Sequence, residues 1–225
     1  MISAQEALER LRDGNRRFAA GDRSPDTGTD EARRRELATG QEPFAIVLGC
    51  SDSRVGAEIV FDQGLGDLFV IRIAGNIVAP SGIGSVEFAA ARFGTRLVVV
   101  LGHSRCGAIL ATLEELRRPS EDQSPGLRAI VDRIRPAVEP LLATELAQQA
   151  DALVQQAVRA NIRASTHHLR HGSELLEQLL LNEGLVIVGS EYSLETGVVD
   201  FFDAWPASGQ QSAEAVAPSA VSIGS

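Results

Sequence analysis

Four short apolar runs, set apart by longer stretches of helical patterning, do most to narrow what this chain can fold into. Phe44-Ala45-Ile46-Val47-Leu48, Leu68-Phe69-Val70-Ile71-Arg72-Ile73, Arg96-Leu97-Val98-Val99-Val100-Leu101 and Leu185-Val186-Ile187-Val188-Gly189 read as buried strands. Strands separated by helices imply a mostly parallel sheet with right-handed crossovers. The expected class is therefore α/β. A length of 225 residues, 44% of them hydrophobic, suits one such domain with a sizeable core.

The segments between the runs carry helix punctuation. Ser3 can cap a helix whose Ala7, Leu8, Leu11 and Phe18 recur at helical spacing, with Gly21 as its stop. Asp22 to Asp30 reads as a loop and Glu31 to Ala38 as a short charged helix. Ala74-Gly75-Asn76 turns the chain, Gly75 to Gly84 reads as loop geometry, and Ser85 to Arg92 as a helix closing at Phe93-Gly94. Further helices are expected at Ala108 to Arg117, from Pro125, and from Leu141 to His171 after Pro136 and Pro140 interrupt the pattern. Ser173 can cap the next, which stops at Gly184, and Tyr192 to Phe202 then makes a turn and an edge strand. Residues 1–203 thus form one domain with an N-terminal helical arm, and 204–225 read as a flexible tail.

Charge and hydropathy exclude some partners. Lys plus Arg total 21 against 30 Asp plus Glu, a net charge of -9 with no basic run to follow a phosphate backbone, so no nucleic-acid partner is expected. No apolar run approaches the roughly 20 residues that span a bilayer, so no membrane partner is expected either. Met1 to Ala20 contains Glu6, Glu9 and Asp13 and no apolar core segment, which fits neither a secretory signal nor a transit peptide. The expected location is the cytoplasm.

The first and third runs end in polar clusters, Gly49-Cys50-Ser51-Asp52-Ser53-Arg54 and Gly102-His103-Ser104-Arg105-Cys106-Gly107. Set side by side, the two strands bring Cys50, Asp52, His103 and Cys106 to one crevice at the carboxyl edge of the sheet, where such folds bind ligands. Cys50, His103 and Cys106 are a Cys₂His donor set suited to zinc, one per chain; the plainer alternative is a capping histidine and two core cysteines. Three protein ligands leave a fourth tetrahedral position, held in catalytic sites by water whose pKa zinc lowers to about 7. Asp52 can take that position itself or accept a hydrogen bond from the water there, and Arg54 can decide between them by holding the carboxylate in a bidentate pair. His167, His168 and His171, at the end of a helix, read as structural, with a surface proton relay as the alternative.

At these residues the chain resembles the β-class carbonic anhydrases, whose signature is Cys-x-Asp-x-Arg followed some fifty residues later by His-x-x-Cys. The resemblance runs from about Ser3 to Phe202 and includes Ala74-Gly75-Asn76, Ser85-Val86-Glu87-Phe88 and the segment Glu191 to Gly197. It implies a parallel four-stranded sheet in order 2-1-3-4, plus the edge strand, flanked by helices. It also implies a homodimer with swapped N-terminal helices, or a tetramer, and reversible hydration of carbon dioxide to bicarbonate. Cys50, His103 and Cys106 match the family's zinc ligands, and Asp52 and Arg54 its catalytic dyad. Gln41, Phe69, Ala74, Phe88 and Gly107 fall to the substrate pocket, with Phe88 where the plant enzymes carry Tyr. Gly56 stands where many members have Pro. Val47 replaces the Trp of the bicarbonate-inhibited subclass, so water on zinc and no cooperative bicarbonate inhibition are expected. Rival readings are hydrolysis of carbon disulfide or carbonyl sulfide on the same scaffold, and a zinc or bicarbonate-sensing module without turnover.

Overall fold

The computed structural model describes residues 2–24, 30–119 and 123–205. In chain order the elements are α1 (Ala4–Ala20), α2 (Glu31–Leu37), β1 (Ala45–Gly49), α3 (Ala57–Val60), β2 (Leu68–Arg72), α4 (Pro80–Arg92), β3 (Leu97–His103) and α5 (Gly107–Arg117). There follow α6 (Pro125–Val138), α7 (Ala150–His171), α8 (Glu174–Asn182), β4 (Val186–Tyr192) and β5 (Val199–Trp205). The sheet order is β2-β1-β3-β4-β5. The first four strands run parallel, and β5 pairs antiparallel to β4 as the expected edge strand.

Alternate residues of the central strands feed two cores. Ile46, Leu48, Val98, Val100 and Ile187 face helices α4 to α8, while Ala45, Val47, Leu97, Val99, Leu101 and Val188 face α1 and α3. Both faces are covered, which is why these strands read as continuous apolar runs rather than as alternating ones. No helix among the described residues is long and apolar enough to cross a membrane.

Several boundaries differ from the expectation. Helix α4 begins at Pro80, its first-turn proline, and runs through Gly82 and Gly84, which had read as loop. At Gly82 a Cβ would meet Ile73 and Leu48 at ordinary contact distances of 3.5 and 3.9 Å; the helix forms despite the poor propensity of its glycines because Val86, Ala89 and Ala90 bury its face. Pro136 lies inside α6: with so little helix left beyond it, proline costs a hydrogen bond without ending the helix. Residues Glu139–Ala143 and Glu145–Gln148 are 3₁₀ turns, so α7 starts at Ala150 rather than at Leu141. Strand β5 continues through Trp205, two residues into the expected tail; the rest of that tail, 206–225, lies outside the described residues.

The expected amphipathic helix is present, capped by the Ser3 hydroxyl and ended by Gly21 in the left-handed region at φ 72°. Its apolar face, expected to reach a partner subunit, packs on the sheet of its own chain: Ala4, Ala7, Leu8 and Leu11 join the core of Phe44, Val47, Phe61 and Val99. Burying a leucine there is worth about 1.5–3 kcal/mol, and amphipathic spacing says that a face is buried without saying on which copy. The approach is close, since a Cβ at Gly14 would stand 1.8 Å from the Phe61 carbonyl oxygen. Buried Asn15 donates to the carbonyls of Val60 (3.1 Å) and Gly197 (2.9 Å) and accepts from the Val199 amide (2.8 Å).

Asp62 completes the attachment of α1. Its buried carboxylate accepts from Arg17 Nε (2.6 Å) and the Ser24 amide (3.1 Å), with Arg23 Nε at 3.5 Å. Burial alone would push the Asp62 carboxyl up, but the bonds from Arg17 and Ser24 and the charges of Arg17 and Arg23 outweigh it and hold the group below the usual carboxylate range. A folded-state value below the unfolded one of about 3.9 gives stabilisation that is complete above that range and lost as pH falls through the folded value. Asp62→Asn is therefore expected to cost about 1–3 kcal/mol at neutral pH and to flatten the acid side of the stability curve. Thermal melts from roughly pH 3 to 7 check this, and equal acid sensitivity in both proteins would refute it.

Candidate metal centre

Strands β1 and β3 are direct neighbours, with Ile46 opposite Val98 and Gly49 opposite Leu101, so their carboxyl ends lie side by side. The chain leaves β1 to one side for β2 and returns on the other as β3, which makes this junction the switch point of the sheet. Cys50 follows β1 directly, His103 is the last residue of β3, and Cys106 immediately precedes α5. The strand thus reaches two residues further than its apolar run, because β4 continues alongside it to Tyr192.

The ligand atoms of Cys50, His103 and Cys106 all lie within 4.8 Å of one another, and all three residues are buried. The two sulfurs are 4.0 Å apart. The His103 Nδ1–H donates to the Ser104 carbonyl at 2.9 Å, since a carbonyl can only accept, and this leaves Nε2 as the lone-pair nitrogen. Nε2 is buried without a hydrogen-bond partner, a costly state for a polar atom, and a cation held with the two sulfurs would satisfy it.

The thiols fit the same reading. Hydrogen bonding from Cys106 draws the Cys50 thiol well below its ordinary value despite burial, while hydrogen bonding to Cys50 and burial push Cys106 far up. One negative charge is readily carried by the pair and a second is resisted. A divalent cation removes that resistance, as thiolate ligation requires. Donor types, burial and the bare imidazole nitrogen all suit zinc.

Asp52 stands beside the cluster, its Oδ2 3.8 Å from His103 Nε2. Arg54 grips it bidentately, Nε to Oδ1 at 2.9 Å and Nη2 to Oδ2 at 2.7 Å, and adds its backbone amide to Oδ1 at 3.0 Å. The Arg54 hydrogen bond, opposed by burial, holds the Asp52 carboxyl well below the usual carboxylate range. The carboxylate is thus ionised and turned to the guanidinium.

Several supporting residues escaped the sequence reading. The Gly75 amide donates to Cys50 Sγ at 3.3 Å from a loop held by Asn161, whose Nδ2 donates to the Gly75 carbonyl at 2.7 Å, and by Ser165, whose hydroxyl donates to the Asn76 carbonyl at 3.0 Å. Gly75 has φ 69°, a backbone state that glycine reaches without strain. Arg72 donates from Nε to the Cys50 carbonyl (3.0 Å) and from Nη2 to the Asp52 carbonyl (2.6 Å). The available signals were an arginine closing the apolar run at Leu68 to Ile71, and two polar residues spaced four apart within the apolar stripe of α7.

The expected pocket residues divide. Ala74 and Gly107 flank the centre, one beside the Gly75 amide and the other directly after Cys106. Gln41, Phe69 and Phe88 do not reach it within one chain. Gln41 precedes β1, whose five residues rise about 17 Å toward Cys50. Phe69 pairs with Ile46 and joins Phe88 and Phe93 in an aromatic group beside the outer strand β2, with ring centroids 5.6–6.2 Å apart. His167 and His171 lie against each other on α7, ring centroids 4.6 Å apart and planes tilted by 51°; among the described residues, Cys50, His103 and Cys106 form the one group of three or more metal-ligating side chains.

Comparison with known proteins adds independent support. A family profile described as carbonic anhydrase matches residues 45–199. The chain is similar to "Carbonic anhydrase 2" of Mycobacterium tuberculosis, 37% identical over 196 residues covering 85% of this chain and 89% of that protein. It is also similar to the carbonic anhydrase of Mycolicibacterium smegmatis, 40% identical over 195 residues, 86% and 91% of the two chains. Among solved structures, the β-carbonic anhydrase CcaA matches with a TM-score of 0.67 and 28% identity over 88% of this chain and 92% of that one. The Coccomyxa β-carbonic anhydrase in complex with acetazolamide shares the fold, with a TM-score of 0.68 and 23% identity over 90% and 87% of the chains.

Proposed function

The chain belongs to the carbonic anhydrase family of lyases, in its β class, and from that premise we propose that it hydrates carbon dioxide reversibly at one zinc ion held by Cys50, His103 and Cys106. The observation that carries the reading is the buried convergence of two sulfurs and an unpartnered imidazole nitrogen within 4.8 Å, with the Asp52 carboxylate beside them. Zinc, when bound, supplies a Lewis acid that makes water nucleophilic near neutral pH.

The chain's own groups do the rest. Asp52 orients the attacking water by accepting one of its protons in a hydrogen bond, for which an ionised carboxylate is suited and a protonated one is not. Arg54 keeps that carboxylate ionised and held back from the three donor atoms. The fork leaves the carboxylate a free lone pair on the side of His103. Ala74 and Gly107 line the mouth, where the small residues leave room for a three-atom substrate.

We place Gln41, Phe69 and Phe88 in the pocket of a partner subunit, so that a homodimer completes each site. Their distance from Cys50 within one chain supports this, as does the exposure of Phe88 beside β2. Two free thiols suit a reducing compartment such as the cytoplasm. Metal analysis paired with stopped-flow gas hydration tests the proposal. Near one zinc per chain and carbon dioxide hydration well above the uncatalysed rate are expected, with carbonyl sulfide and carbon disulfide as slower substrates. Full zinc loading without carbon dioxide hydration would overturn it.

A further inference from the structure

The turn from His103 to Cys106 is pinned from outside by one carboxylate. Glu195, in the bend between β4 and β5, accepts from the Ser104 hydroxyl at 3.2 Å and from the Ser193 hydroxyl at 3.4 Å, and forms an ion pair with Arg105, Nε to Oε1 at 3.0 Å. The Ser104 hydroxyl in turn accepts the Leu194 amide at 3.0 Å, and the Ser104 amide donates to the Tyr192 carbonyl at 2.9 Å. Both side chains that Glu195 holds flank a single peptide unit. That unit carries the Ser104 carbonyl, which receives the His103 Nδ1–H and so fixes which ring nitrogen faces the two sulfurs.

The orientation of this peptide is set by ψ of Ser104 and φ of Arg105. Arg105 has φ 53°, in the left-handed region that an arginine seldom adopts. Something must hold it there, and its guanidinium is ion-paired with Glu195. Exposed ion pairs generally contribute little to stability, so a carboxylate that gathers hydrogen bonds from Ser104 and Ser193 and an ion pair from Arg105 around one strained residue calls for a local purpose.

We propose that Glu195 is a positioning residue for the metal centre: through Ser104 and Arg105 it fixes the peptide carbonyl that orients the His103 ring. The inference rests on the reading of His103 as a zinc ligand. It assigns Glu195 no contact with substrate or metal.

The test follows zinc release from the purified holoenzyme into excess chromophoric chelator, together with the visible absorption spectrum of the cobalt-substituted protein. Direct outer-shell partners of metal ligands typically affect affinity or activity about 10- to 100-fold. Glu195 acts one bond further out, so Glu195→Ala is expected to release zinc about 5- to 20-fold faster, with a shifted cobalt spectrum and an unchanged far-ultraviolet circular dichroism. Glu195→Gln, which keeps an acceptor but no charge, should fall between. Because Ser104 and Glu195 act on one peptide, their effects should not add: Ser104→Ala/Glu195→Ala should release zinc within about twofold of the worse single variant. Wild-type zinc release and cobalt spectrum in Glu195→Ala, or fully additive effects in the double variant, would overturn the positioning role. A wild type that retains neither zinc nor a thiolate-to-cobalt absorption band would overturn the metal-centre reading first, and the inference with it.

Discussion

Cys106→Ser is expected to lose most of its zinc and nearly all hydration activity, a larger effect than the about 10- to 100-fold that outer-shell changes cost. A serine hydroxyl is close to the size of a thiol and leaves the fold intact, but at neutral pH it stays protonated and is a poor zinc ligand. The position magnifies the loss, because Cys106 is 1% exposed and bulk water is not at hand to replace the sulfur. Metal content after dialysis against a chelator, and the thiolate-to-cobalt absorption of the substituted protein, report the loss without relying on turnover. A Cys106→Ser protein with a full zinc complement and unimpaired hydration would remove Cys106 from the donor set.

The polar clusters were legible in the sequence because each stands directly at the end of an apolar, β-branched run, and a strand tip is where backbone ends and side-chain chemistry begins. Their juxtaposition needed more: that the strands of Val47 and Val99 are neighbours follows from the crossover topology and from the family resemblance, and the register between them confirms it. Local signals failed where tertiary packing decided the outcome. Around Gly82 the local signals conflict: two glycines of poor helix propensity follow Pro80, which suits a first helical turn, and burial of Val86, Ala89 and Ala90 decides for the helix. The periodicity of Ala7, Leu8 and Leu11 shows a face to be buried but is silent on whether the surface that covers it belongs to the same copy. The groups that steady the ligands come from far along the chain: Asn161 reaches Gly75 across 86 positions and Glu195 reaches Ser104 across 91. A hydrogen bond between such distant residues leaves no periodic trace, only an unexpected polar residue on an apolar face, as at Asn161 and Ser165.

Arg54→Ala is expected to lower hydration by about 10- to 100-fold while changing stability by no more than about 0.5 kcal/mol. The two effects separate because the Arg54 side chain is 54% exposed, where an ion pair contributes little to folding, whereas the carboxylate it grips faces the centre. Asp52 Oδ2 lies 2.7 Å from Arg54 Nη2 and 3.8 Å from His103 Nε2, so the guanidinium and the donor cluster compete for one oxygen. Without the guanidinium the carboxylate is free to turn among Cys50, His103 and Cys106, or to lose the orientation that water requires, and either outcome lowers the rate. Arg54→Lys separates charge from geometry. A lysine keeps the positive charge but has no planar fork, so if orientation is what matters, it should recover only part of the activity. Rates for the three proteins, thermal midpoints, and the cobalt spectrum of Arg54→Ala measure each arm. An Arg54→Ala enzyme as fast as the wild type would show that Asp52 orients itself unaided.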